Sequence, residues 1–143
     1  MSFNHATSRY AAESIENLSV GIDSSRKFRI YSTVYDDGMC VIEPHSKPLT
    51  VNECSQVIIS ICSCCLELDL GCHLILDMTI CSYLSSSALG QLVKLAKALA
   101  ADNYRLLLVH VGPALQHIIS LTNMDRFIEL CDSVKAAQEW LSL

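Results

Sequence analysis

The sequence predicts an α/β fold in which helices cover a mixed, mostly parallel β-sheet. Short apolar segments typical of strands alternate with longer segments whose apolar residues recur at helical spacing. The segments follow the order ββαβαβαβα, and strands separated by helices usually pair in parallel. The first two strands are joined by the turn Asp36-Asp37-Gly38, so this pair is expected to be antiparallel.

The length and composition predict one folded domain. The chain has 143 residues, of which 51% are hydrophobic and 17% charged, so it can bury a core. Residues 1–26 are polar and weakly periodic, and we interpret them as an N-terminal extension, partly disordered or carrying a short helix near residues 11–18. Residues 27–143 form the predicted domain.

The first elements of that domain form a predicted β-hairpin. Residues 27–34 alternate between polar and apolar side chains, which is typical of a half-exposed strand. Residues 39–42 are the second strand. Pro44 and Pro48 are expected to end its regular pairing.

The first long helix begins at a recognisable capping box. In Thr50-Val51-Asn52-Glu53, the threonine and glutamate side chains can each accept a backbone N–H of the first turn. Asp69-Leu70-Gly71 ends the helix, and the apolar residues 74–76 form a buried strand that ends at Asp77. The predicted inward stripe of the helix comprises Cys54, Val57, Ile58, Ile61, Cys65 and Leu68.

Three serines, Ser85, Ser86 and Ser87, mark the start of the next helix, because a serine hydroxyl accepts an orphan N–H there. Asp102-Asn103 ends this helix as a turn, and residues 104–111 read as a further strand that includes His110. The inward positions of the helix are Leu89, Leu92, Val93, Ala96, Leu99 and Ala100, with Gln91, Lys94 and Lys97 on the solvated side.

The last elements follow the same plan. Gly112-Pro113 opens a helix with proline in its first turn, and residues 123–126 form a loop. Residues 127–130 are a short final strand, and Asp132-Ser133 caps a helix that can pack Trp140 against the sheet.

Charge and hydropathy argue against several function classes. The net charge of -5 and the lack of a dense Lys/Arg cluster disfavour nucleic-acid binding. The start of the chain does not resemble a secretion signal, so we expect a cytoplasmic protein whose eight cysteines are reduced. The apolar residues 57–66 are interrupted by serines and too few to cross a bilayer, so we expect no direct membrane insertion.

Catalytic and metal-binding patterns are weak. The run Cys62-Ser63-Cys64-Cys65, with Cys54, Cys72 and His73 nearby, does not follow the paired spacing of zinc sites. Asp77 would need further acidic residues at another strand end to hold Mg²⁺ for phosphoryl transfer. The sequence carries neither a nucleophile elbow nor a glycine-rich phosphate loop. We therefore predict a non-enzymatic protein without metal or cofactor.

The stretch from residue 76 to residue 90 resembles the STAS domain family, which includes the anti-sigma-factor antagonists. A strand that ends in Leu76-Asp77-Met78 leads through a loop to Ser85-Ser86-Ser87-Ala88-Leu89-Gly90 and an amphipathic helix. The family pattern at this place is Asp-Ser-Ser-Gly-Leu-Gly, so Ser85 replaces aspartate and Ala88 replaces glycine. Residues 121–125, Leu-Thr-Asn-Met-Asp, resemble a second family segment, and the likeness extends over residues 28–143.

The resemblance implies a function in partner switching and transcription regulation. Ser86 matches the serine that is phosphorylated in antagonists of this family, and Ser85 and Ser87 are the alternatives. The implied partners are an anti-sigma factor that is also a serine kinase, and a serine phosphatase. Whether nucleotide binds and which oligomeric state the protein adopts are left open. The implied partner-binding residues are Ser85, Ser86, Ser87, Ala88, Leu89, Gly90, Gln91 and Lys94.

Two alternatives stay open. The replacements at Ser85 and Ala88 favour a STAS module that binds its partner constitutively, as a scaffold or as a subunit of a transport complex. From the residues alone, the three serines can also be explained as a helix cap without a switching role.

Overall fold

The computed structural model describes residues 12–18, 28–35 and 37–142. A short helix, α1, covers residues 12–16. The other elements are β1 (Arg29–Tyr35), β2 (Met39–His45), α2 (Val51–Leu68), β3 (His73–Asp77), α3 (Ser86–Ala101), β4 (Leu106–Val109), α4 (Pro113–Leu121), a 3₁₀ turn (Met124–Arg126), β5 (Ile128–Cys131) and α5 (Val134–Leu141).

The described strands form one five-stranded sheet in the order β1-β2-β3-β4-β5. β1 and β2 are antiparallel, with Tyr35 opposite Met39 beside the turn. The pairs β2–β3, β3–β4 and β4–β5 are parallel. The predicted fold class, an α/β fold with a mixed and mostly parallel sheet, is confirmed.

Each face of the sheet has its own apolar core, because successive strand residues point to opposite sides. In β3, Leu74 and Leu76 belong to the larger core beneath α2, α3 and α4. Ile75 belongs to the smaller core, which Ala137 of α5 covers. Burial on both faces explains the uninterrupted apolar runs of the central strands.

The local signals fix the helix ends as predicted. Both halves of the capping box between Thr50 and Glu53 are formed. α2 ends at Asp69, whose backbone is left-handed with φ 50°, and the Ser133 hydroxyl caps α5 by accepting the Ala136 N–H.

Three boundaries differ from the sequence prediction. β2 continues through Pro44, which lies opposite Ile30 of β1. On its other side, β3 pairs only with Met39 to Ile42, so no strand there requires an N–H from Pro44. β4 stops at Val109, because His110 takes a left-handed φ of 55° and is exposed, so it is not a strand residue. The predicted loop at 123–126 contains the short 3₁₀ turn.

α1 packs on the domain. Ile15 is completely buried in the larger core, and the Glu16 carboxylate accepts the backbone N–H of Ser32 in β1 at 2.8 Å. The remaining residues of the predicted extension, 1–11 and 19–26, lie outside the described residues.

Among the described helices, α2 is long and apolar enough, by length and composition, to cross a membrane. Its apolar stripe faces the larger core, where Val57, Ile58 and Ile61 are fully buried. Such length, apolar composition and burial are also expected of a helix that packs at the centre of a folded domain.

Candidate functional site

The candidate site is the serine turn, which we define as Ser85, Ser86 and Ser87. β3 ends at Asp77, and residues 78–85 lead from it to the first residue of α3. The turn therefore lies at the carboxyl edge of the parallel strands, where α/β sheets commonly place their functional loops.

Ser85 is the N-cap of α3. Its backbone is extended, with φ −68° and ψ 161°, and its hydroxyl oxygen accepts the Ala88 N–H at 3.2 Å. Its carbonyl oxygen accepts the Leu89 N–H at 3.0 Å. The capping role predicted for the serine cluster thus falls on Ser85.

Ser86 and Ser87 are the first two residues of α3, and both are exposed. The first turn of α3 contains no acidic residue. The partial positive charge of a helix N-terminus is therefore not offset by a carboxylate within that turn.

The serine turn is bonded to the start of α2. The Ser85 N–H donates to the Ser55 hydroxyl oxygen at 2.8 Å. The Cys54 thiol, one residue earlier, donates to the Ile80 carbonyl oxygen at 3.2 Å. Ser55 is not among the site residues predicted from the sequence, although a serine beside Cys54 on the apolar side of a helix is a signal for a buried hydrogen bond.

Asp77, the strand-end aspartate, is engaged in a local turn. Its carboxylate accepts the Thr79 N–H at 2.8 Å and also the Thr79 hydroxyl. An aspartate that accepts the N–H two residues on stabilises a sharp change of chain direction. Asp77 therefore shapes the loop that leads to the serine turn.

The eight predicted partner-binding residues do not share one surface. Ser86, Ser87, Gly90 and Lys94 are exposed, and Ser85 and Gln91 are half-buried. The side chains of Ala88 and Leu89 point into the larger core. The methyl group of Ala88 therefore lies inside the domain, and not on the surface where a partner would approach.

A hollow of about 320 Å³ lies between the β2–α2 loop and the loop after β3. It adjoins the segment that leads to the serine turn, and in that segment Tyr83 is 42% exposed. The residues that line it are Ser46, Pro48, Leu49, Thr79, Ile80 and Ser82.

Most of the cysteines lie in the interior of the domain. Within the described part of the chain, no group of three or more His, Cys, Asp or Glu side chains is placed to hold a metal ion. All eight cysteines are free, and six of them are buried. Burial raises the pKa of the Cys62 thiol to about 12, so this thiol is neutral at physiological pH.

Two solved structures resemble this fold. A crystal structure of a candidate anti-sigma factor antagonist from Thermotoga maritima, TM1081, has 19% sequence identity and a TM-score of 0.60, covering 80% of this chain and 95% of that chain. An NMR structure of TM1081 has 21% identity and a TM-score of 0.57, covering 76% of this chain and 84% of that chain. At these identities the likeness concerns the fold.

A search of the curated proteins finds no match to this chain. The sequence model of the STAS domain matches residues 3–137, which is nearly the whole chain. The chain belongs to the STAS domain family.

Proposed function

We propose that this protein is an anti-sigma-factor antagonist that acts in the cytoplasm by binding a partner protein and is switched by phosphorylation of Ser86. The observation that carries the proposal is the position of Ser86. Its exposed hydroxyl stands at the first residue of α3, in a first turn without acidic residues. We place no catalytic role on any residue.

The electrostatics of α3 support a switch that leaves the domain folded. Phosphorylation adds nearly two negative charges and three acceptor oxygens. At the N-terminus of a helix these charges meet the positive end of the macrodipole and free backbone N–H groups. The modified domain therefore keeps its fold, and the change falls on the surface that a partner contacts.

The proposed contact surface joins the serine turn to the hollow beside it. Its exposed residues include Ser86, Ser87, Gly90 and Lys94. A side chain of the partner can occupy the hollow between the β2–α2 loop and the loop after β3. A phosphate brought into the centre of such an interface is costly unless the partner pairs it, so one modification can dissociate the complex.

The partners that this function requires are an anti-sigma factor with serine kinase activity and a serine phosphatase. Their support is the family membership together with the fold likeness to the Thermotoga maritima protein. The proposed function requires neither binding of nucleic acid nor direct insertion into a membrane.

The experiment that tests the proposal is phosphosite mapping by mass spectrometry on protein isolated from its own cells, across growth and stress conditions. Phosphate on Ser86 is expected, and a Ser86→Ala variant loses it while Ser87→Ala keeps it. Phosphate on Ser85 or Ser87 alone would move the switch to that residue. Unmodified serines under every condition would contradict the switch.

A constitutive interaction module is the second candidate, and Ser85 in the place of the family aspartate favours it. The Ser86→Asp variant separates the two candidates. A phosphorylation switch predicts that this variant binds the partner at least about tenfold more weakly than Ser86→Ala does. A constitutive module whose contacts avoid Ser86 predicts equal binding.

A further inference from the structure

Two neighbouring residues of α2 are hydrogen-bonded to the two ends of the segment 80–85, which leads into α3. The Cys54 thiol donates to the Ile80 carbonyl oxygen, and the Ser55 hydroxyl oxygen accepts the Ser85 N–H. The start of α2 is itself fixed by the capping box of Thr50 and Glu53. Residues 80–85 are therefore attached at both ends to a rigid helix start.

Ser55 is unusual in its burial. It is 4% exposed, and no other polar or charged residue in the described part of the chain is buried. A hydroxyl taken out of water destabilises the fold unless it is hydrogen-bonded, and an alanine would avoid that penalty. The buried hydroxyl is hydrogen-bonded to Ser85, thirty positions along the chain, and so connects α2 to the start of α3.

The hydrogen bond that the Ser85 N–H donates to Ser55 completes the restraint of Ser85. The hydroxyl and the carbonyl of Ser85 accept N–H groups from α3, and its own N–H donates to Ser55. The N–H, the carbonyl oxygen and the hydroxyl oxygen of Ser85 thus each take part in one hydrogen bond. These bonds hold the backbone of Ser85, to which the next residue, Ser86, is attached.

We propose that Ser55 is a positioning residue for the serine turn: its hydroxyl oxygen fixes the backbone of Ser85 and thereby the direction in which Ser86 is presented. The consequence for phosphorylation rests on the proposed function, whereas the positioning itself does not. Displacement of a reacting group by about 1 Å can reduce a reaction rate up to a hundredfold. A freed Ser85 backbone is therefore expected to slow modification of Ser86.

The test compares four variants of the full chain. Ser55→Ala removes the acceptor, and Ser55→Cys nearly keeps the volume but offers a weak acceptor. Ser55→Thr keeps the hydroxyl oxygen. Ser63→Ala removes an exposed hydroxyl from the same helix and serves as the matched control.

Amide hydrogen exchange measured by NMR is the first readout. Ser55→Ala and Ser55→Cys are expected to speed exchange of the Ser85 N–H about three- to tenfold, as loss of one hydrogen bond implies. Amides of β3 and of the middle of α3 keep their rates, and so does the Ser85 amide in Ser63→Ala and Ser55→Thr. Unchanged Ser85 exchange in both Ser55→Ala and Ser55→Cys would overturn the proposal, as would a uniform acceleration of all amides.

Phosphate occupancy at Ser86, measured in cells that express each variant, is the second readout. We expect lower occupancy in Ser55→Ala and Ser55→Cys than in the wild type and the control. Equal occupancy despite faster Ser85 exchange would refute the effect on presentation. If the wild type carries no phosphate on the serine turn, the proposed function fails, and the exchange rates still decide the positioning role of Ser55.

Discussion

Replacement of Ile15 by alanine tests whether α1 is an integral part of the domain. Ile15 is completely buried and belongs to the larger core, together with Ile30 of β1. The rest of α1 is attached to the sheet edge by the bond from the Ser32 N–H to Glu16. The core is therefore completed by residues that precede the predicted domain start at residue 27.

The expected magnitude follows from the buried volume. The substitution removes three carbon groups, each worth about 0.8 kcal/mol of transfer free energy, and leaves a cavity that adds to this. We expect a loss of about 3 kcal/mol in the free energy of unfolding. Domains of this size have about 5–15 kcal/mol in total, so the effect is large.

Urea unfolding followed by fluorescence measures the effect. Trp140, the single tryptophan, packs against the smaller core on the opposite face of the sheet from Ile15. With a typical urea dependence of about 1.5 kcal/mol per molar, the midpoint should fall by about 2 M. Because the probe is remote, this shift would also show that α1 unfolds with the whole sheet.

Glu13→Ala is the matched control, because Glu13 is exposed on the same helix. We expect it to change stability by less than about 0.5 kcal/mol. A midpoint for Ile15→Ala that equals that of the control would refute the inclusion of α1 in the cooperative unit.

Three further predictions concern charge, pH and reactivity. Ser86→Asp should raise the free energy of unfolding by about 0.3–1 kcal/mol at low salt, because its carboxylate meets the positive end of α3, whose first turn has no acidic residue. The gain should vanish in high salt, and a loss of stability would contradict the argument that the helix tolerates a phosphate there. Burial raises the pKa of Cys62 from 9.0 to about 12, so the contribution of this neutral thiol to stability is complete below pH 9 and is lost as the pH rises from 9 to 12. The free energy of unfolding from urea titrations should therefore fall more steeply with pH in the wild type than in Cys62→Ala, by about 1 kcal/mol per pH unit in this range; equal slopes would contradict the argument. Iodoacetamide with mass spectrometry should label the half-buried Cys64 and Cys131 before the six buried cysteines, and early labelling of Cys62 would show that α2 opens.

The elements could be predicted from the sequence because their signals are local. Thr50 and Glu53 lie three positions apart and cap each other, so the start of α2 depends on no distant residue. The same holds for Ser133 at α5. The alternation of Leu74, Ile75 and Leu76 between two cores follows from strand geometry once helices lie on both faces.

The arrangement around the serine turn could not be predicted in the same way. The partner of the Ser85 N–H is Ser55, and no periodicity links residues on separate helices. The inward direction of Ala88 depends on the N-cap being Ser85, since a cap one residue later would rotate the helix surface by about 100°. Pro44 remains in β2 because β3 pairs with a shorter part of that strand, which only the tertiary register determines.

The bond between Glu16 and Ser32 also bears on solubility. β1 lies at the border of the sheet, and its residues Tyr31, Val34 and Tyr35 are of types that readily join foreign strands. A backbone N–H that already donates to the Glu16 carboxylate is not available to another chain, and an added strand would have to bury that charge at a cost in free energy. Partial unfolding that releases α1 would uncover this border, so the first sign of a damaged N-terminal segment in a purified sample would be aggregation.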